Sequence, residues 1–263
     1  MKFLIAVIIF FVVFFTYTSS LDSDFKLDSL ERSTSNIERD EYRHPEETLN
    51  FFKIKSDDDV LEILPGAGYY TEILLPTVGV RGMYVAAHYP ASPDGPKYRF
   101  NSRVNFESMV AKQYSDLNYD IVDIDKLSSL SPSSFGVVLT FRNMHGFVKS
   151  GELESQLSEY FRVLRPGGRL GVVQHRDNDS DEPAESAKVG YLPEYFIINA
   201  AKSAGFVLSG ISEVNSNPLD NADHVNGVWS LPPSLRGGEA DREKYLSIGE
   251  SDRMTLLFIK PIR

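Results

Sequence analysis

The chain has 263 residues, a formal net charge of −10, 42% hydrophobic residues and no cysteine. That length and balance fit one sizeable folded domain, and the lack of cysteine excludes disulfides, a thiolate nucleophile and a cysteine-based zinc site. The acidic balance repels phosphate backbones, so nucleic acid is not an expected partner.

The first twenty residues stand apart. Lys2 precedes an unbroken apolar run from Phe3 to Phe15, and Thr16-Tyr17-Thr18-Ser19-Ser20 follows it. A charged start, an apolar centre shorter than the roughly 20 residues that span a bilayer, and small residues at the end predict a signal peptide at 1–20. An uncleaved N-terminal anchor is the alternative. Either reading places the folded part in an exported location, secreted or periplasmic, with membrane contact only if the segment is retained. Residues 21–44 are polar and charged, and read as a linker or a loosely docked arm.

Strand and helix patterns alternate over 45–263. Val60 to Leu64 reads as a buried strand, and Tyr69 to Leu75 as a helix stopped by Pro76 and Gly79. Met83 to Ala87 is a second strand, followed by a loop over Pro90 to Pro96 and a helix from Val104 to Tyr114. Tyr119 to Ile124 and Phe135 to Phe141 are the third and fourth strands. Leu153, Leu157, Tyr160, Phe161 and Leu164 recur at helical spacing, Pro166-Gly167-Gly168 ends that helix, and Leu170 to Val173 is the fifth strand.

An acidic loop comes next, then a helix from Pro193 to Ala204 ended by Gly205, and a strand from Phe206 to Ile211. The last strand, Met254 to Ile259, lies beyond a long segment at 213–252. Its Trp229 and Leu-Pro-Pro turn predict an ordered cap rather than a tether. The alternation as a whole predicts an α/β fold with a doubly wound, mostly parallel sheet.

In such a sheet, ligands bind outside the carboxyl ends of the strands where strand order reverses. The stretch after the first strand has Gly66 and Gly68, which let the backbone turn sharply and a ligand approach the main chain. The helix that follows points its free N–H groups the same way.

Glu62-Ile63-Leu64-Pro65-Gly66-Ala67-Gly68 resembles the first motif of class I S-adenosylmethionine-dependent methyltransferases, Asp/Glu-x-Gly-x-Gly-x-Gly. "FRVLRPGGRLGVV" resembles their segment leading into the fifth strand, and the order of elements is similar over about 45–260. The stretches "YYTEIL", "YVAAHY", "LTFRNMHGF", "GVWSLPPSLR" and "YLSIGESDRMTL" resemble an exported bacterial group of predicted methyltransferases. The resemblance implies a seven-stranded Rossmann-like sheet with an antiparallel last strand, S-adenosylmethionine as cofactor, and a small-molecule acceptor. It also implies that Glu62 buttresses the loop, that Pro65, Gly66, Ala67 and Gly68 pass beside the methionine part of the cofactor, and that Asn143 and Met144 flank it.

Two positions depart from the motif. Leu64 stands in the place of the first glycine. Ala87-His88 stands where an acidic residue accepts hydrogen bonds from the ribose hydroxyls, and His88 can make one such bond but not a carboxylate's paired acceptance.

Of the five histidines, His88, His145 and His175 fall just beyond predicted strands. His145 or His175 could deprotonate an oxygen or nitrogen nucleophile, or each could simply tie down a loop. Strands lie about 4.8 Å apart, so the second and fifth are too distant for the three rings to converge on one ion, and no metal is expected. Arg142 either clamps an anionic substrate through its planar fork or pairs with an acidic loop. Asp252 and Arg253 read as a local ion pair. Asp177, Asp179, Asp181 and Glu182 lack the spacing of a calcium loop and read as a solvated run.

Two functions remain: a methyltransferase, or a non-catalytic protein that uses the same fold to bind a small molecule or partner. A hydrolase has no support, because Gly-x-Ser-x-Gly is absent.

Overall fold

The computed structural model describes residues 25–29, 31–177 and 182–262. The segment read as a signal peptide, along with Asp179 and Asp181, lies outside the described residues. No helix among them is long and apolar enough to cross a membrane.

Three short helices come first, α1 (Thr34–Ile37), α2 (Asp40–Arg43) and α3 (Pro45–Phe51). Then follow β1 (Asp59–Ile63), α4 (Thr71–Val78), β2 (Met83–His88), α5 (Lys97–Gln113), β3 (Tyr119–Asp123) and β4 (Phe135–Phe141). The second half contains α6 (Met144–Ser150), α7 (Leu153–Val163), β5 (Leu164–Asp177), α8 (Pro183–Lys188), the two-residue β6 (Leu192–Pro193) and α9 (Glu194–Ser203). It closes with β7 (Val207–Ser212), α10 (Arg242–Ile248) and β8 (Arg253–Ile259).

The strands form one sheet in the order β3-β2-β1-β4-β5-β8-β7, with β6 paired to the end of β5. β1 to β5 run parallel, and β8 runs antiparallel to both β5 and β7. This is the expected doubly wound sheet with an antiparallel last strand. The chain winds outward from β1 to β3 and then returns to lay β4 on the other side of β1. That reversal opens a crevice beyond Ile63 and Thr140, which are register partners.

Side chains alternate across β1 and feed two cores. Leu61 and Ile63 join α6, α7 and α9 on one face, while Val60 joins α3, α4 and α5 on the other. Glu62 points to the second face and is almost fully buried.

Three local readings change. α4 runs through Pro76 to Val78, because Ile73, Leu74, Leu75, Thr77 and Val78 are all buried and packing outweighs the missing donor. α5 starts at Lys97, since its first turns are exposed and carry no apolar period. β5 begins at Leu164, and Gly167 and Gly168 exchange backbone bonds with Lys260 instead of only ending a helix.

The polar arm is not loose over its described residues from 31 to 44. Arg32, buried, makes a two-pronged pair with Asp40 at 2.7 and 2.8 Å, and the Tyr69 hydroxyl donates to the same carboxylate at 2.6 Å. The Ser33 N–H donates to Glu72 at 3.1 Å. Charges that read as solvated are paired across the fold.

Candidate functional site

The loop after β1 turns through three residues with positive φ: Leu64 at 46°, Gly66 at 63° and Gly68 at 88°. Leu64 therefore adopts the left-handed backbone that a glycine takes most easily, at a cost of about 1 kcal/mol. Its N–H donates to the Ala87 carbonyl at 2.8 Å, and the Asn143 side chain donates to the carbonyls of Ile63 and Leu64 at 2.7 and 3.3 Å. Those bonds hold the loop where the missing glycine would otherwise place it.

Beneath the loop, Glu62 accepts from the hydroxyls of Tyr84 at 2.6 Å and Thr71 at 3.0 Å. Burial pushes its carboxyl up to about 7 despite those two bonds. A Cβ added at Gly66 would meet nothing within 4 Å, whereas one at Gly68 would lie 2.5 Å from the Met109 side chain. Gly66 faces open space and Gly68 faces a helix.

The end of β2 is sealed. His88 is fully buried, its Nδ1 accepts from the Tyr89 N–H at 2.8 Å, and its Nε2 donates to the Gly66 carbonyl at 3.3 Å. Burial lowers its pKa, so the ring is neutral and ties the loop from below. It does not line the cavity described next, where it was expected to meet a ribose.

A cavity of about 300 Å³ opens at the reversal between β1 and β4. Leu64, Pro65, Gly66 and Ala67 form one wall, with Tyr69 and Tyr70 beside them. Phe141, Arg142, Asn143 and His145 enter from the end of β4, and His175 from β5. Val228, Trp229, Pro232, Pro233 and Ser234 of the 213–252 segment cover it, and Asn36, Arg39, Glu250 and Ser251 complete the rim. Tyr70 stacks on Phe141 with centroids 3.7 Å apart. Of the residues expected around a cofactor, Gly68, His88 and Met144 are absent from this lining. Met144 is fully buried, and its N–H donates to Gln174 at 3.1 Å.

His145 and His175 are brought together, with ring centroids 6.1 Å apart, and Trp229 lies 6.0 Å from His145. Burial, with Lys149 nearby, lowers the pKa of His145 to about 4, and burial, with Arg142, holds His175 well below the usual range. Both rings are neutral near pH 7. Gln174 donates to His145 Nδ1 at 3.4 Å, which leaves the proton on Nε2. His175 Nδ1 and the Ser251 hydroxyl share a bond of 2.5 Å.

Opposite the loop, Glu250 receives Arg39 at 2.6 Å, Arg43 at 3.1 Å and Arg253 at 3.0 Å. Burial favours a neutral Glu250, but Arg43, Arg253 and Arg39 together outweigh it and bring its pKa down to about 2. The expected Asp252–Arg253 pair does not form: Asp252, just before β8, pairs with Arg176 at 2.8 Å, while Arg253 turns to Glu250. Among the described residues Arg142 makes no side-chain ion pair or hydrogen bond, although the charge of Glu250 reaches it.

No family model and no curated protein matches the sequence. Solved structures do. An S-adenosylmethionine-dependent methyltransferase from Aquifex aeolicus superposes with a TM-score of 0.57 at 18% identity, over 89% of this chain and 97% of that one. The fold is that of a Rossmann-like methyltransferase. A second such methyltransferase, from Methanosarcina mazei, gives a TM-score of 0.53 at 14% identity over 82% of this chain and 97% of its own. The 4+2 cyclase SpnF gives 0.55 at 16% identity over 84% and 81%. One fold thus hosts more than one chemistry, and function has to be argued from the site.

The loop from Leu64 to Ala67, Asn143, His145, His175 and Arg142, all singled out from the sequence, line this cavity. Sequence reasoning missed Arg39, Arg43 and Glu250 as one cluster and Ser251 as the partner of His175. No local pattern signals contacts between an N-terminal arm and the last strand.

Proposed function

We propose that the protein is an S-adenosylmethionine-dependent methyltransferase acting on a small-molecule acceptor. The observation that carries this reading is the cavity at the strand-order reversal whose wall is the Leu64–Ala67 backbone. Open space over Gly66 gives the methionine half of the cofactor a cradle that a side chain would fill. Asn143 keeps that backbone in place, and Glu62 supports it from beneath. When bound, the cofactor supplies a methyl group activated on a sulfonium. The protein's part is to align the acceptor and exclude water, a role that suits Trp229 and the Pro232-Pro233 turn over the cavity.

His175 is the stronger candidate for proton acceptance. When its Nδ1 donates to Ser251, its Nε2 lone pair is free. His145 has Nδ1 occupied by Gln174 and presents an N–H, so it orients the acceptor as a donor. Export, as a secreted or periplasmic protein, is supported by the charged and apolar pattern of residues 1–20.

A second reading is a protein that holds a different small ligand in the same cavity. The sealed His88 favours it, since no carboxylate stands at the end of β2 to receive a ribose. Calorimetric titration of the purified protein with S-adenosylmethionine and then S-adenosylhomocysteine decides between them. Micromolar binding of both is expected. No heat at several temperatures, from a protein shown to be folded, overturns the methyltransferase reading. Sequencing the N-terminus of protein recovered outside the cytoplasm tests cleavage near residue 20.

A further inference from the structure

Around Glu250 at the cavity rim, positive charge exceeds what the fold neutralises: Arg39 and Arg142 line the cavity, and the buried Arg43 and Arg253 pair with Glu250. Three guanidinium groups, from Arg39, Arg43 and Arg253, converge on the single carboxylate of Glu250. Arg142 adds a fourth, and among the described residues its side chain makes no hydrogen bond or ion pair. Both terminal nitrogens of the buried Arg43 and the Nε of the buried Arg253 also lack partners. Glu62 is the one other carboxylate lining the cavity, and its Oε2 already accepts from Tyr84 and Thr71.

Uncompensated charge inside a protein is costly, and an entering anion is the direct remedy. Arg142 is repelled by Arg43, Arg39 and Arg253, with only Glu250 opposing them, and its field also reaches His145 and His175. Arg142 lines the same cavity as Arg39, Glu250 and the two histidines. A guanidinium with no internal partner offers its planar fork to a carboxylate or phosphate.

We infer that the acceptor bound in this cavity carries a carboxylate or phosphate group, gripped by Arg142 with Arg39 at the rim, and that its remainder lies against Trp229 and the two histidines. This rests on the methyltransferase reading, which it deepens by naming the acceptor class. The oxyanion chemistry is shared by both groups, and the excess of guanidinium over carboxylate leaves room for one negative charge or two.

The test uses benzoate and phenyl phosphate as probes, titrated into the full-length protein with and without saturating S-adenosylhomocysteine. Expected is binding of at least one probe that persists with S-adenosylhomocysteine present and weakens as salt is raised. Whichever probe binds more tightly identifies carboxylate or phosphate. Arg142→Gln is expected to weaken the probe by roughly tenfold or more, with Arg142→Lys intermediate and the affinity for S-adenosylhomocysteine held within about twofold.

Arg142 makes no internal side-chain bond, so neither variant removes one, and matching thermal unfolding curves verify the fold. Failure of both probes, or an unchanged affinity in Arg142→Gln, overturns the inference while S-adenosylhomocysteine binding upholds the methyltransferase. One-for-one competition between probe and S-adenosylhomocysteine also overturns it, because the arginines then serve the cofactor's own carboxylate. Probe binding without any S-adenosylhomocysteine binding removes the cofactor reading and overturns the assignment of the anion to a methyl acceptor, leaving an anion-binding cavity.

Discussion

Asn143 donates its side-chain amide to the carbonyl of Ile63 at 2.7 Å across 80 residues of chain, tying the end of β4 to the loop that follows β1. The bond stands at the strand-order reversal, so it fixes the width of the cavity mouth as well as the path of the loop. Asn143→Ala leaves the carbonyls of Ile63 and Leu64 without this donor, and is expected to cost about 1–2 kcal/mol in urea unfolding. It should also weaken S-adenosylhomocysteine in calorimetry. Unchanged stability and unchanged binding together would show that the loop holds itself.

Leu64 gives a test of backbone strain. Its φ of 46° is one glycine adopts freely, while its side chain packs on the core as a partly buried residue. Leu64→Ala loses the packing and keeps the strain, so it is expected to be less stable than Leu64→Gly by about 1 kcal/mol. This inverts the usual order of alanine over glycine, and parallel urea melts of the two variants decide it.

Gly66 and Gly68 should respond differently. Gly66→Ala places a methyl in open space over the cavity wall but forces a non-glycine residue to a φ of 63°, so it is expected to cost about 1 kcal/mol of stability and also to weaken S-adenosylhomocysteine. Gly68→Ala adds the same left-handed strain at a φ of 88° and also displaces the Met109 side-chain end and crowds Thr71 and Phe106, and is expected to cost about 1–3 kcal/mol of stability with less effect on binding. Equal effects of the two on binding would mean that the loop lies elsewhere than beside the ligand.

Glu250 neutralises three buried or half-buried arginines, and Glu250→Gln leaves them facing one another. A loss of about 3 kcal/mol is expected, the typical result of removing one member of a buried ionic cluster. Because the folded Glu250 has a pKa near 2 against an ordinary 4.5, its contribution is present above pH 4.5 and disappears as pH falls towards 2. The difference in stability between wild type and Glu250→Gln should therefore shrink over that interval. A difference constant from pH 5 to pH 2 would contradict the charge cluster.

His145 and Glu62 predict opposite slopes. The folded His145 pKa of about 4 lies below the ordinary 6.5, so the unfolded chain takes up the proton first and stability is lost as pH falls from 6.5 to 4. The folded Glu62 value of about 7 lies above the ordinary 4.5, so stability is lost as pH rises from 4.5 to 7. Measured against wild type, His145→Gln should gain relative stability on the acid side of its window, and Glu62→Gln on the alkaline side of its own.

Much of the scaffold was legible from the residues. The apolar runs at 60–64, 83–87, 135–141 and 254–259 fall on buried strands, because such strands need apolar stretches and turn residues mark their ends, and the mixed runs at 119–124 and 206–211 fall on the two part-exposed edge strands. The positions just beyond β4 and at the end of β5 were legible for the same reason, since strand ends in a parallel sheet point to one edge. Whether a residue at that edge faces a ligand was not. His88 and His175 look alike in sequence, yet one ring is turned under the Gly66 carbonyl and the other opens on the cavity.

The sequence by itself determined the order of strands and helices, the tight turn at Gly66 and Gly68, and which residues stand at the ligand edge, because these depend on local periodicity and on backbone freedom. Tertiary structure alone decided that the polar arm belongs to the site. Arg39 and Glu250 are 211 residues apart in the chain and 2.6 Å apart in the fold. A charged residue reads as solvated until packing removes its water and supplies a counter-charge, and no local pattern records which distant segment will do so.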